Sequence, residues 1–318
     1  MTEEASLREA YGRALVELGK ENLDIVVLDA DLSKSTMTQF FAKEFPDRFF
    51  ECGIAEQNMV SMAAGLAASG KIPFASTFAV FTPGRCFDQV RLSIAYPGLN
   101  VKLVTTHGGI SVGEDGVSHQ SIEDLSLICS LPGFNVIVPA DALETTQAVK
   151  AAAANYGPFY IRLCRPKIPL VYDDDYQFNL GKAVMLRQGK EATIIAIGIM
   201  VNAAIEAADN LKKEGINCRV LNMPTLKPID EFAIIKAAAD TEAIVTAEEH
   251  LLHGGLGSII AQIVASHHPV PVEFVAIKDT YAESGKPTEL LEKYGLTARD
   301  IEQAVHAVLK KKLGAAGS

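Results

Sequence analysis

The sequence ECGIAEQN, residues 51–58, joins a short predicted strand at Phe49 to a predicted helix over residues 55–69. This junction puts Glu56 beside the beginning of a helix rich in alanine and methionine. One interpretation is a carboxylate favoured there by the helix dipole, which is the commoner arrangement. The other is a partly buried carboxyl group that shares a proton with a ligand nitrogen. Position alone leaves both interpretations open.

Short apolar segments alternate with amphipathic segments on both sides of this junction. The predicted strands cover residues 24–29, 49, 72–77, 101–106, 136–138, 159–163, 193–197, 218–221, 243–246 and 272–276. The predicted helices cover residues 6–20, 35–45, 55–69, 84–95, 122–130, 142–155, 201–214, 230–239, 255–266, 288–294 and 297–311. Apolar strands that alternate with helices are typical of a parallel sheet covered on both faces. We therefore predict an α/β fold of two doubly wound domains.

The alternation is interrupted between Arg165 and Gly181 by two prolines and three consecutive aspartates. A chain of 318 residues has room for two domains. We predict a first domain over residues 1–165, a linker over 166–181 and a second domain over 182–313. The small residues of 314–318 predict a flexible tail.

Composition excludes several classes of protein. The net charge is −10 with both signs interspersed, which argues against a nucleic-acid or membrane-surface partner. The five cysteines are widely spaced, which is typical of reduced thiols and not of a disulfide framework or a zinc site. The polar N-terminus predicts no signal peptide, and no apolar run is long enough to predict a membrane span. We expect a cytoplasmic enzyme or enzyme subunit.

Polar clusters follow three predicted strands of the first domain, at residues 29–35, 51–58 and 105–119. Open α/β sheets bind ligands at the carboxyl ends of their strands, so we predict one site built from these loops. The third cluster has two histidines, two acids and many glycines. Taken alone, it fits either a metal site or a solvated turn held by Asp and Gly.

The motifs GIAEQN at 53–58, GLA at 65–67 and STFAVF at 76–81 together resemble the pyrimidine-binding domain of transketolases. The resemblance implies that Glu56 contacts a ring nitrogen of the aminopyrimidine of thiamine diphosphate and favours its proton-accepting tautomer. It also implies that Phe81 stacks on the pyrimidine, that Phe78 forms the pocket wall and that Asp31 lies near the cofactor. Without the resemblance, core packing is the usual fate of such phenylalanines.

The loop THGGISVGEDGVSHQ, residues 106–120, resembles the substrate-channel loop of the same family. The resemblance implies that His107, Asp115 and His119 form hydrogen bonds with the sugar, and that both histidines act in catalysis. Histidine suits this role because its pKa lies near neutrality. Ser35 and Arg165 match residues that bind the sugar phosphate, for which a bidentate guanidinium is well suited. A helix cap is the alternative role for Ser35.

The second domain carries TAEEH at 246–250 and GGLG at 254–257, which resemble the C-terminal domain of transketolases. The resemblance implies a structural and dimer-forming role. We interpret the glycines as close packing at the beginning of a helix, because Gly-x-Gly alone is weak evidence for a phosphate loop.

The sequence has no Gly-Asp-Gly motif, which in thiamine enzymes supplies oxygen ligands to a divalent metal. GEDG at 113–116 has one residue too many, so we predict no metal site in this chain. The resemblance then implies the C-terminal subunit of a split, two-chain transketolase. An N-terminal partner subunit binds the diphosphate and magnesium or calcium, and this chain also self-associates, giving an α2β2 assembly.

The implied reaction is transfer of a two-carbon ketol unit from a ketose phosphate to an aldose phosphate, with xylulose 5-phosphate as the family's usual donor. Three alternatives stay open: a beta-type subunit of a 2-oxo-acid dehydrogenase, a deoxyxylulose phosphate synthase-like enzyme and an inactive scaffold paralogue. The residues His107, Asp115 and His119 favour transketolase, since they suit a polyhydroxylated sugar.

Overall fold

The computed structural model describes residues 3–316, in which strands and helices alternate along both halves. The strands are β1 Glu4–Ser6, β2 Ile25–Asp29, β3 Phe49–Glu51, β4 Ile72–Phe78, β5 Lys102–Thr106, β6 Asn135–Ile137, β7 Phe159–Arg162, β8 Lys167–Pro169, β9 Val184–Arg187, β10 Thr193–Ala196, β11 Arg219–Asn222, β12 Thr225–Lys227, β13 Ile244–Leu251 and β14 Val272–Ile277. The helices are α1 Leu7–Glu21, α2 Ser33–Thr36, α3 Gln39–Glu44, α4 Glu56–Ala68, α5 Phe87–Gln89, α6 Asp124–Cys129, α7 Ala142–Ala154, α8 Met200–Lys213, α9 Glu231–Thr241, α10 Leu256–His267, α11 Pro287–Lys293 and α12 Ala298–Ala316. Helical turns Val80–Arg85 and Val90–Ala95 flank α5, and a short turn covers Pro46–Arg48.

The first sheet has the strand order β12-β6-β7-β5-β4-β2-β3. Its neighbouring strands run parallel except for β12, which is antiparallel to β6. Every residue of β2 and β5 is buried, as expected for central strands covered by helices on both faces. The predicted parallel, doubly wound sheet is therefore confirmed in this half.

The second sheet has the order β14-β13-β10-β11-β9. Its strands are parallel except for β9 at the edge, which is antiparallel to β11. The second half is therefore also α/β with a mainly parallel sheet. The sequence pattern does not predict β9 or β12, because both are short strands at a sheet edge.

The two halves are less separate than the predicted boundaries suggest. Strand β12 lies beyond the predicted linker, yet it extends the first sheet through Thr225 and Lys227. One apolar cluster contains Met59 and Leu103 from the first half together with Met223 from the second. The predicted linker itself contains β8, which pairs with β1. The halves thus share a sheet edge and a core.

The predicted helix over residues 35–45 is wrong, because α2 and α3 are separated by Met37 with a left-handed φ of 69°. The Asp29 carboxylate stabilises this break. It accepts hydrogen bonds from the Thr36 and Thr38 hydroxyls at 2.7 and 2.8 Å and from the Leu32 N–H at 2.7 Å. Such side-chain bonds compete with a continuous helix.

The last helix, α12, extends to Ala316 and so enters the segment predicted as a flexible tail. Residues 317–318 of that tail lie outside the described residues. Over residues 3–316, none of the helices combines the length and the apolar character needed to cross a bilayer.

Candidate active site

The carboxyl ends of β2, β4 and β5 meet at one edge of the first sheet, because these strands are adjacent and parallel. The loops that follow them hold the residues predicted to form a site. Glu56 reaches the same edge from the beginning of α4, after the loop that follows β3.

Glu56 is buried, with only 3% of its side chain exposed. Its Oε2 accepts a hydrogen bond from Arg85 Nη1 at 2.8 Å. The Arg85 side chain is 47% exposed, and its guanidinium lies 4.5 Å from the centroid of the Phe81 ring. The Arg85 guanidinium, a flat group that donates hydrogen bonds, therefore contacts both the Phe81 ring and the Glu56 carboxylate.

Four rings pack against one another, and one of them, Phe81, contacts the Arg85 guanidinium. Phe78 stacks on Phe81 with centroids 5.9 Å apart and on the His107 ring at 3.8 Å. His119 meets the edges of Phe78 and Phe81 at 6.1 and 5.6 Å. The two phenylalanines predicted for the cofactor and the two histidines predicted for the substrate thus form one continuous surface.

His107 comes directly after β5 with a left-handed φ of 60° and is 3% exposed. Its Nδ1 forms a hydrogen bond with the Thr106 hydroxyl at 2.7 Å. Burial, together with the charges of Arg8 and Arg165, lowers the pKa of His107 to about 3. The ring is therefore neutral at physiological pH, and its Nε2 remains for a ligand.

The other predicted residues lie at the rim. His119 is half-buried, and its Nδ1 forms a hydrogen bond with the Ser118 hydroxyl at 2.9 Å. Asp115 and Asp31 are exposed. The backbone N–H of Asp31 donates to Glu51 Oε1 at 2.8 Å, so the conformation of this loop is fixed while the Asp31 carboxylate faces outwards.

Ser35 lies within α2, whose N-cap position is Leu32, so the alternative role of Ser35 as a helix cap is wrong. Its carbonyl oxygen accepts a hydrogen bond from Arg8 Nη1 at 2.8 Å. Arg165 donates to the Val112 carbonyl and, at 3.0 Å, to Glu114 Oε2.

Arg8 is a site residue that the sequence analysis missed. Burial and the charge of Arg165 lower the pKa of Arg8, and the charge of Arg8 in turn helps to lower the pKa of His107. Its Nε is buried and has no hydrogen-bond partner. One sequence signal was available: Arg8 stands in the first turn of α1, where the helix dipole disfavours a positive charge. Arg8 and Arg165 together make this end of the site suitable for an anion.

The second half fixes the loop over residues 107–120. Glu249 accepts hydrogen bonds from the Ser111 N–H at 2.6 Å and from the Ser111 hydroxyl at 3.2 Å. Gly109 has a φ of 88°, and a Cβ there would lie 2.1 Å from the Glu249 carboxyl carbon. Gln120 Nε2 donates to the Glu283 carbonyl at 3.0 Å. The position of the predicted substrate loop therefore depends on the second half.

The glycines at 254–257 pack closely at the beginning of α10, as predicted. Glu248 accepts from the backbone N–H groups of Leu256 and Gly257 at 2.7 and 2.8 Å. A Cβ on Gly255 would lie 2.0 Å from Glu248 Oε2. Burial raises the pKa of Glu248 to about 7.

The Phe81 ring and the Glu56 carboxyl group suit the aminopyrimidine part of thiamine diphosphate, since that ring is flat and pairs with a carboxyl group, but the Arg85 guanidinium lies in this position here. Glu56 would hold its ring nitrogen, while Phe78 and Phe81 would contact its faces and edges. Within residues 3–316, no group of three or more His, Cys, Asp or Glu side chains is arranged to hold a metal ion.

Comparisons with known proteins match both halves. The family model for the transketolase pyrimidine-binding domain matches residues 3–170, and the model for the transketolase C-terminal domain matches residues 181–301. The chain is 43% identical to a 6-deoxy-6-sulfo-D-fructose transketolase subunit from a Clostridium species, an alignment that covers 98% of this chain and 96% of that protein. It is 41% identical to transketolase from Homo sapiens over 96% of this chain and 49% of the human protein.

A solved structure described as a split gene transketolase, inactive beta4 tetramer, superimposes with a TM-score of 0.90 and is 53% identical in sequence. The superposition covers 98% of this chain and all of that one. With both domain models matched and relatives above 40% identity along nearly the whole chain, this protein belongs to the transketolase family.

Proposed function

We propose that this chain is the C-terminal subunit of a two-chain transketolase that transfers a two-carbon ketol unit from a ketose phosphate to an aldose phosphate. The observation that carries the proposal is the buried Glu56 carboxylate beside the Phe81 ring, continuous with His107 and His119. Thiamine diphosphate, when bound, supplies the carbon–carbon bond chemistry, and the protein supplies orientation and electrostatics.

Glu56 holds a proton at the pyrimidine nitrogen. Its carboxyl group is almost completely shielded from water, so a hydrogen bond made there is stronger than one made at the surface. Phe81 and Phe78 hold the flat ring against this carboxyl group and exclude water from one side of it. Asp31 is assigned to the outer rim of the same pocket, where it is exposed.

The two histidines and Asp115 orient the sugar. His107 stays neutral because of its lowered pKa, and Thr106 occupies its Nδ1, so Nε2 is the atom that meets a sugar hydroxyl or carbonyl oxygen. His119 approaches from the other side of the phenylalanine pair. A general acid or base must lie within hydrogen-bond reach of the proton that it moves, and these rings line the channel next to Glu56.

Arg8, Ser35 and Arg165 bind the anionic end of the sugar. Two guanidinium groups close together suit a tetrahedral anion with several acceptor oxygens. A phosphate and a sulfonate share this chemistry, and the Clostridium relative is named for a sulfonated sugar. The assay of this chain should therefore include both kinds of donor.

A partner subunit completes the active site in this proposal. It would bind the diphosphate and a magnesium or calcium ion, and two copies of each chain would form an α2β2 assembly. The apolar side chains of Ile54, just before α4, and Met62, within α4, support this because they are exposed near Glu56 and would be covered by a partner. Two relatives support it as well: one is named a subunit, and the other is described as a split gene product that is inactive as a beta4 tetramer.

The test is reconstitution. The chain is assayed alone, and then with the N-terminal subunit that carries the Gly-Asp-Gly motif, in the presence of thiamine diphosphate and magnesium. Xylulose 5-phosphate with ribose 5-phosphate should give exchanged products, detected by mass spectrometry, only in the mixture. Turnover by this chain alone would contradict the two-chain proposal. Decarboxylation of pyruvate without ketol transfer would instead favour the alternative thiamine enzymes.

A further inference from the structure

Arg85 makes the same two contacts that the aminopyrimidine requires. Its guanidinium lies 4.5 Å from the Phe81 centroid, and its Nη1 donates to Glu56 Oε2 at 2.8 Å. A guanidinium group is planar, stacks on aromatic rings and pairs with carboxylates. An aminopyrimidine is also planar, stacks on aromatic rings and forms hydrogen bonds with a carboxyl group. The face of Phe81 cannot hold both groups at once.

The Arg85 side chain is able to leave this position. It is 47% exposed, whereas Glu56 is 3% exposed, so one partner of the ion pair reaches solvent and the other is fixed inside. The backbone of Arg85 is held separately, since its carbonyl accepts a hydrogen bond from Gln57 Nε2 at 3.2 Å. A rotation of the side chain alone would expose the Phe81 ring and release the Glu56 carboxylate without moving the chain.

We propose that the Arg85 side chain occupies the pyrimidine pocket in the absence of cofactor. There it stays paired with the buried Glu56 carboxylate until thiamine diphosphate displaces the Arg85 side chain. This inference rests on the proposed function, because it takes Glu56 and Phe81 as the cofactor contacts. In the unloaded subunit, Arg85 prevents a bare carboxylate from being buried without a partner, a state that is costly. The same contact makes Arg85 a competitor of the cofactor.

Competition by Arg85 should lower the affinity of the subunit for thiamine diphosphate by a measurable factor. A half-exposed ion pair and a cation–π contact are each weak, so their loss on cofactor binding should cost roughly three- to tenfold in affinity. Replacement of Arg85 by methionine keeps an unbranched side chain about as long as the aliphatic part of arginine and removes both contacts. Arg91 offers a matched control, because it is an exposed arginine in the adjacent helical turn Val90–Ala95.

The experiment is isothermal titration of thiamine diphosphate with magnesium into the reconstituted complex of both subunits. Arg85→Met should lower the dissociation constant by about three- to tenfold, while Arg91→Met should change it less than about twofold. Arg85→Lys should fall between wild type and Arg85→Met, because it keeps the charge and loses the planar group. Thermal melts of each variant verify that the subunits fold and assemble.

A double substitution distinguishes two roles of Arg85, as a competitor of the cofactor and as a structural support of Glu56. If Arg85 competes through its pair with Glu56, the gain from Arg85→Met should shrink in a Glu56→Gln background, because the ion pair is already lost. Equal or weaker cofactor binding by Arg85→Met would overturn the inference and identify Arg85 as a lasting support of Glu56. If the wild-type complex binds no thiamine diphosphate, the proposed function fails and the inference fails with it.

Discussion

Buried glutamates on the two sides of the molecule differ in what holds them. Glu248 and Glu249 in the second half accept hydrogen bonds from backbone N–H groups, which cannot move away without unfolding a helix or a loop. Glu56 in the first half is paired with one side chain, that of Arg85, which reaches solvent. All three carboxylates are buried to a similar degree. The comparison teaches that the mobility of the partner, and not burial, distinguishes a carboxylate available to a ligand from one that maintains the fold.

Glu56→Gln gives the largest expected effect. Loss of the carboxyl group should lower the rate of ketol transfer by the reconstituted complex by about 10²–10⁴-fold, the usual contribution of a positioned acid–base group. Its melting temperature should stay close to that of wild type, because the ion pair that is lost reaches the surface. Retention of more than a tenth of the activity would contradict the comparison.

Gly109→Ala tests the second side of the comparison. A Cβ would lie 2.1–2.4 Å from the carboxyl atoms of Glu249, on a residue that also has a left-handed φ of 88°. The clash and the backbone strain should together lower the free energy of unfolding by about 3 kcal/mol, measured by urea denaturation.

Gly98→Ala is the matched control, since Gly98 also has a left-handed φ, 66°, and no atom lies within 4 Å of an added Cβ there. That variant should lose only the strain, about 1 kcal/mol. Equal losses in the two variants would show that Glu249 does not fix the loop.

The sequence predicted the parts of this molecule that depend on periodicity or on a motif. The central strand β2, with the sequence IVVLD, is fully buried and stands out as a short apolar run. The short edge strands β9 and β12 have no such pattern, because edge strands depend on their neighbours for pairing. The break after α2 was missed because it results from hydrogen bonds of Asp29 to hydroxyls seven and nine residues further along the chain.

The candidate site shows the same division. Glu56, Phe81 and His107 lie together, as the motifs predicted. Arg8 and Arg85 were missed because each acts through a partner distant in the sequence: Arg8 through Ser35, and Arg85 through Glu56. No local spacing encodes either pairing, although the position of Arg8 in the first turn of α1 was a signal that something unusual holds its charge. The individual roles of the predicted residues in binding and catalysis stay predictions.

Arg8→Gln should have a smaller effect, on the KM for the sugar, and tests whether Arg8 in the first half binds the anionic end of the substrate. Loss of one of two guanidinium groups should raise the KM for a phosphorylated donor by about 10- to 100-fold, since a hydrogen bond to a charged group contributes roughly 1.5–3 kcal/mol. The kcat should change little, because Arg8 is expected to contact the anion and not the reacting carbons. Arg13→Gln is the control, because Arg13 is exposed on the same helix. A similar rise in KM for a donor without phosphate would contradict a phosphate contact.

The dependence of stability on pH gives the smallest effect and compares the two halves directly. Burial lowers the pKa of His107 in the folded protein to about 3. As the pH falls below about 6.5, the unfolded chain therefore binds a proton at this position and the folded protein does not. The contribution of His107 to the free energy of unfolding is therefore lost on acidification.

Burial raises the pKa of Glu248 to about 7, so the folded protein keeps a proton that the unfolded chain releases above about pH 4.5. The contribution of Glu248 to the free energy of unfolding is present at low pH and is lost as the pH rises towards 7.

Between pH 4.5 and 6.5, His107→Gln should remove a rise of the free energy of unfolding with pH, and Glu248→Gln should remove a fall of it with pH. Denaturation curves at four pH values across this window measure both slopes, and slopes that change in the same direction would show that the two buried groups do not titrate as their surroundings require.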